Sequence, residues 1–270
     1  IYNMKPNSTT YETVESLFKK YILRIVPPVD CFISVGFDPE KLSKSVFEVC
    51  ARYGTEPEEL FDFIESKMAD ENVEAMILFG SVVYRIVSRE GITDVDLMMV
   101  CNDECRIIDP PSGLHVTVES INALYRQMQR QSVGFEETVF SGEIVILKDS
   151  SKIDKIILGL REKFERDPIT NLLNVIFYDM VKMTTNKQIL NYNYKNEFSE
   201  EFVEKVKRFR LCVSNDITEH TVKTGMITAG KFSDQEMLRI AIAAIHRRRI
   251  KPRLHQPLIS EIKKRLSLKV

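Results

Sequence analysis

The reading of the fold turns on Ile77-Leu78-Phe79-Gly80-Ser81 and, after a spacer of twelve residues, Asp94-Val95-Asp96-Leu97-Met98-Met99-Val100. The first run is apolar and ends in Gly-Ser, which predicts a buried strand that opens into a helix. Backbone N–H groups at such a turn, together with the serine hydroxyl, aim at an anion, and the helix dipole assists. Gly80 leaves the backbone bare where a phosphate would approach. The second run is apolar on both faces from Leu97 onward, as a central buried strand requires. Asp94 and Asp96 are two apart, so both carboxylates leave one face of the sheet. Side by side they repel each other, and a divalent cation relieves the repulsion. Hard oxygen ligands on an open face suit Mg²⁺, which keeps its waters and takes further ligands from phosphate.

Two more strands are expected outside this pair, over Leu114–Val118 and Glu143–Leu147, with the first apolar run beginning at Ala75. A helix is expected from Ser120 through Leu124 and Met128. On the N-terminal side the chain predicts helices. Residues 9–26 carry a stripe at Val14, Leu17, Phe18, Tyr21, Ile22 and Ile25 that stops at Pro27-Pro28. Asp38-Pro39 opens a helix that ends near Gly54, and Thr55 is expected to cap the next one. The turn between these two helices faintly suggests a helix-turn-helix, but Glu56, Glu58, Glu59, Asp62 and Glu65 would repel phosphates. From Ser151 the pattern is helical over 151–165, 168–190, 199–224 and 233–249, with a last helix after Pro257. The expected class is α+β: a small mixed sheet with a helical lead-in (1–72) in a domain 1–150, then a helical domain 151–270.

Composition agrees with a globular chain. The 270 residues are 44% hydrophobic and 29% charged, with ten Gly and ten Pro, which excludes collagen-like and low-complexity classes. No apolar stretch approaches the roughly 18 residues of a membrane span, and the start Ile1-Tyr2-Asn3-Met4-Lys5 has no apolar leader, so a cytoplasmic location is expected. Five cysteines without a CxxC read as reduced, mostly buried thiols. Charge is uneven along the chain. Nine Lys/Arg stand against Glu261 alone in 247–270, leaving 29 basic and 38 acidic residues before it. The basic segment 247–269 is either a solvated face or a grip on an anionic partner such as RNA.

The hydrophobic-Phe-Gly-Ser turn, the spacer and Asp-x-Asp-hydrophobic together resemble the nucleotidyltransferase superfamily typified by DNA polymerase β, over roughly residues 73–150. The resemblance implies a palm-type sheet. It also implies that Asp94 and Asp96 bind Mg²⁺, and that Gly80 and Ser81 hold the triphosphate of an NTP such as ATP. An NMP group would move to an acceptor hydroxyl on a small molecule or protein, with pyrophosphate leaving. Nucleotide addition to an RNA end and a catalytically silent nucleotide-binding scaffold are the alternatives.

The chain departs from that pattern at one position. The superfamily places a third carboxylate on the following strand, which here reads Leu114-His115-Val116-Thr117-Val118-Glu119-Ser120. His115 stands where the acid would be and is suited to act as a base or a nitrogen ligand. Glu119, further along the same face, is the other candidate for the missing carboxylate. Arg85 and Arg89 are candidates for triphosphate contact. Asp149 is expected to cap the helix that follows, and Tyr192 and Tyr194 either line an acceptor or base-stacking surface or lie half-buried in a polar loop.

Overall fold

The computed structural model describes residues 8–84, 94–102, 109–130, 135–185 and 233–266. Two compact units divide the chain. The first takes Ile1–Val29, Ser34–Gln129 and Val139–Arg161, and the second Asp30–Ile33, Arg130–Thr138 and Glu162–Val270.

At the centre of the first unit is a five-stranded mixed sheet with β1 Arg24–Val26, β2 Val73–Phe79, β3 Val95–Cys101, β4 Leu114–Ser120 and β5 Ile144–Lys148. Its order is β1-β5-β2-β3-β4, with β3 and β4 parallel and every other neighbouring pair antiparallel. The α+β class and the mixed sheet are as expected. The central strands are buried on both faces, which explains their unbroken apolar runs: Met76, Ile77, Leu78, Leu97 and Met98 have no exposure.

One face packs on the helical lead-in, α1 Ser8–Tyr21, α2 Pro39–Tyr53 and α3 Pro57–Met68. There Phe18, Val46, Leu60, Phe61 and Ile64 meet Met76, Leu78, Leu97 and Met99. Phe18 and Phe61 meet edge to face, with ring centroids 4.9 Å apart. The other face joins Ala75, Ile77, Met98, Val100 and Ile146 to Leu124 and to Ile153, Ile156 and Leu160. Leu124 comes from α4 (Ile121–Gln129), and the three that follow come from α5 (Ser151–Arg166).

Local chemistry accounts for most helix ends. Asp38 accepts a hydrogen bond from the Lys41 N–H, Pro39 occupies the first turn, and Gly54 closes α2 at φ 67°, a left-handed conformation. The Ser120 hydroxyl accepts from the Ala123 N–H at the start of α4. Three expectations are corrected. α1 ends at Tyr21, and the residues read as its last turn form the edge strand β1, whose backbone pairs with β5. Thr55 does not cap α3; its hydroxyl donates to the Ser112 carbonyl at 2.8 Å, and Glu56 takes the cap position. Cys31 and Cys50 are free and buried, but Cys101 is disulfide-bonded; an odd cysteine count without a CxxC gave no signal of it.

In the second unit, Asp167 begins α6 (Pro168–Thr185) by accepting from the Thr170 N–H. Ser233 and Glu236 form a capping box at the start of helix Asp234–Arg247, and the last helix is His255–Arg265. These helices bury Leu172, Ile176, Met237, Ala241, Ile245, Leu258 and Ile262. The helix expected over 199–224 and the end of the one expected over 168–190 lie outside the described residues. Among the described residues no helix is long and apolar enough to cross a membrane.

Candidate metal centre

Strand register assembles the centre. β2 ends at Phe79, which pairs with Asp96 on β3, and Asp96 in turn stands beside His115 on β4. Side chains alternate along each strand, so Asp94 and Asp96 share the face of Met98 and Val100. His115 reaches that face because its neighbours Leu114 and Val116 are packed on the opposite one. One oxygen each of Asp94 and Asp96 and a ring nitrogen of His115 lie within 4.8 Å of one another. His115 Nδ1 is 3.1 Å from Asp96 Oδ1. The two side chains differ in setting: Asp96 is 19% exposed and His115 62%. The ring is therefore held in place by strand register and its aspartate neighbour, with little packing around it.

Gly80 has a second task beyond the one its sequence suggests. Its φ is 75°, and a Cβ there would fall 2.0 Å from Asp96 Oδ2 and 2.9 Å from Asp96 Cγ. The missing side chain is the space the Asp96 carboxylate occupies. Ser81 follows at once in the single turn Ser81–Tyr84, and its Oγ is buried with no hydrogen-bond partner among the described residues. A buried hydroxyl left in this way costs stability unless something binds it.

The lead-in braces the strand that carries His115. Val95 N–H donates to the Gly113 carbonyl at 2.8 Å, joining the approaches to β3 and β4. Gly113 has φ 90°, and a Cβ there would lie 2.9 Å from Tyr53 and Val49 of α2. With the Thr55–Ser112 bond, this fixes where β4 begins. The sequence marks Thr55 only as a helix cap and does not single out Gly113, because the contacts that give both their task come from residues far away along the chain.

The remaining candidates separate. Glu119 is opposite Val100, four strand positions from His115 and so about 13 Å along β4. It does not join the cluster. Asp149 follows β5 at the far end of the sheet and accepts from Arg24 Nε at 2.7 Å. Arg24 also pairs with Asp154, and the Asp149 hydrogen bond is the main cause that holds the guanidinium pKa above its ordinary value. Asp149 is thus an ion-pair partner. Arg85, Arg89, Tyr192 and Tyr194 lie outside the described residues. In the basic segment, Lys251 and Arg253 are tied to Asp30, and Arg265 Nε donates to Glu261 at 2.8 Å. Part of its charge is therefore paired within the second unit.

Two carboxylates and an imidazole close together form a donor set that fits a divalent cation. No family model matches the chain, and no curated protein matches it.

Proposed function

We propose that the chain is a divalent-cation-dependent nucleotidyltransferase that moves an NMP group from an NTP, such as ATP, to a hydroxyl of a small molecule or protein. The observation that carries this reading is the convergence of Asp94, Asp96 and His115 at the end of the sheet where β2 runs into Gly80-Ser81. Asp94, Asp96 and His115 hold the cation. Gly80 keeps the Asp96 carboxylate in place and leaves the turn open, and Ser81 Oγ donates to a phosphate oxygen. When bound, the cation neutralises phosphate charge and favours in-line attack by the acceptor oxygen.

The test is label transfer from α-labelled NTPs in the presence of Mg²⁺ or Mn²⁺. Asp94→Asn combined with Asp96→Asn should abolish cation-dependent nucleotide binding in calorimetric titration while the melting temperature holds. Undiminished affinity in that variant sinks the reading. A silent nucleotide-binding protein is the second reading, favoured by His115 at the place where the resemblance puts an acid. Nucleotide binding by the wild type without transfer to any acceptor would select it.

A further inference from the structure

The donor set at this centre is not the one magnesium prefers. Mg²⁺ is a small hard ion that demands oxygen ligands and gives up its waters reluctantly. Imidazole nitrogen suits first-row transition ions, whose affinity for a nitrogen-bearing site rises from Mn²⁺ onward along the series. An all-oxygen site would leave the choice among hard cations open, whereas a ring nitrogen biases it.

His115 is placed as a ligand. Its register partner on β3 is Asp96, and the Nδ1–Oδ1 separation is 3.1 Å. Two donors bound at right angles to one ion at about 2.1 Å stand about 3.0 Å apart. The pair already has the spacing of adjacent ligands on one ion, so binding requires little rearrangement. The ring is 62% exposed, so core packing does not explain a histidine at this position. Its face of β4 is set by Leu114 and Val116, which are buried on the other side.

We infer that His115 makes the Asp94–Asp96–His115 centre selective for a first-row transition-metal dication over Mg²⁺, with the ring nitrogen a direct ligand. The inference rests on the reading of this cluster as a metal centre and deepens it by naming the metal class.

The experiment titrates the full chain with Mn²⁺, following the free-ion paramagnetic resonance signal, and then competes with Mg²⁺. Pulsed paramagnetic resonance of bound Mn²⁺ reads nitrogen coupling directly. Wild type should prefer Mn²⁺ by about tenfold or more and show nitrogen coupling. His115→Ala should lose the coupling and weaken Mn²⁺ by about 10-fold, with little change for Mg²⁺. His115→Asp, an all-oxygen set, should also lose the coupling, narrow the preference and strengthen Mg²⁺. Circular dichroism and melting of each variant check the fold, and an exposed ring predicts that both hold. Equal affinity for the two ions, or bound Mn²⁺ without nitrogen coupling in the wild type, overturns the selectivity inference and leaves the metal centre standing. Failure of both ions to bind wild type overturns the centre itself and the inference with it.

Discussion

Replacing Gly80 with alanine tests the packing beneath the metal centre, and its cost can be worked out atom by atom. At φ 75° the backbone is left-handed, a conformation that costs a residue with a Cβ about 1–2 kcal/mol. The new Cβ would lie 2.0 Å from Asp96 Oδ2 and 2.9 Å from Cγ, with Asp96 Cβ at 3.1 Å. Turning the carboxyl about its last bond moves Oδ2 but leaves Cγ where it is. The whole group must therefore swing about the Cα–Cβ bond or the strand must shift. An off-rotamer side chain adds about 0.5–1.5 kcal/mol, which brings the total to about 1.5–3.5 kcal/mol. At roughly 2–4 °C per kcal/mol for a chain approaching this size, the melting temperature should fall by about 3–14 °C. The displaced carboxylate should also weaken the cation by about tenfold or more, as loss of a well-placed partner does. Melting and cation titration of Gly80→Ala, Asp96→Ala and the double variant separate the two costs. In the Asp96→Ala background the clash with Oδ2 and Cγ is gone, so the glycine substitution should cost about 1 kcal/mol less than in wild type, a coupling of the size neighbours show. Equal cost in both backgrounds, or full cation affinity in Gly80→Ala, refutes the reasoning.

Two further outcomes follow from the structure. Glu119→Gln should leave cation affinity within about twofold of wild type, because the residue is about 13 Å from His115 along the strand; a tenfold loss in the same titration would restore Glu119 to the site. Burial pushes the thiols of Cys31 and Cys50 up to about 11 from an ordinary 9.0. A raised acid favours the folded state while it stays protonated, so this contribution is complete below pH 9 and is lost as pH rises toward 11. Melting temperatures across that interval should fall less steeply in Cys31→Ala/Cys50→Ala than in wild type, and parallel slopes would contradict the shift.

The sheet was legible where burial left its mark on sequence. β2 and β3 are covered on both sides, so their residues form unbroken apolar runs with clear ends at Phe79 and Asp94. Gly80, Ser81, Asp94 and Asp96 could be singled out because they interrupt those runs at strand ends. β1 could not, since three residues carry no period and its backbone is paired by β5, far away in the chain. The alternation of β4 put His115 and Glu119 on one face. Which of them meets Asp96 depends on the offset of two parallel strands, a tertiary quantity. Thr55 shows the same limit: threonine before Glu56-Pro57 reads as a cap, but its hydroxyl bonds instead to Ser112 O, 57 residues away in sequence.

That parallel offset also bears on the fidelity of the centre. A slip of β4 by one position would exchange its two faces. Leu114 and Val116 would turn away from α2 and α3, and His115 would enter the apolar layer they had filled. Exposing two such side chains forfeits about 1.5–3 kcal/mol each, before the cost of burying an imidazole. The slipped pairing is therefore rare, on the order of one molecule in a hundred or fewer at about 1.4 kcal/mol per tenfold. Two aliphatic residues that touch no ligand thus act as the indexing pins of the site: they keep its polar groups in step across strands that no short turn connects.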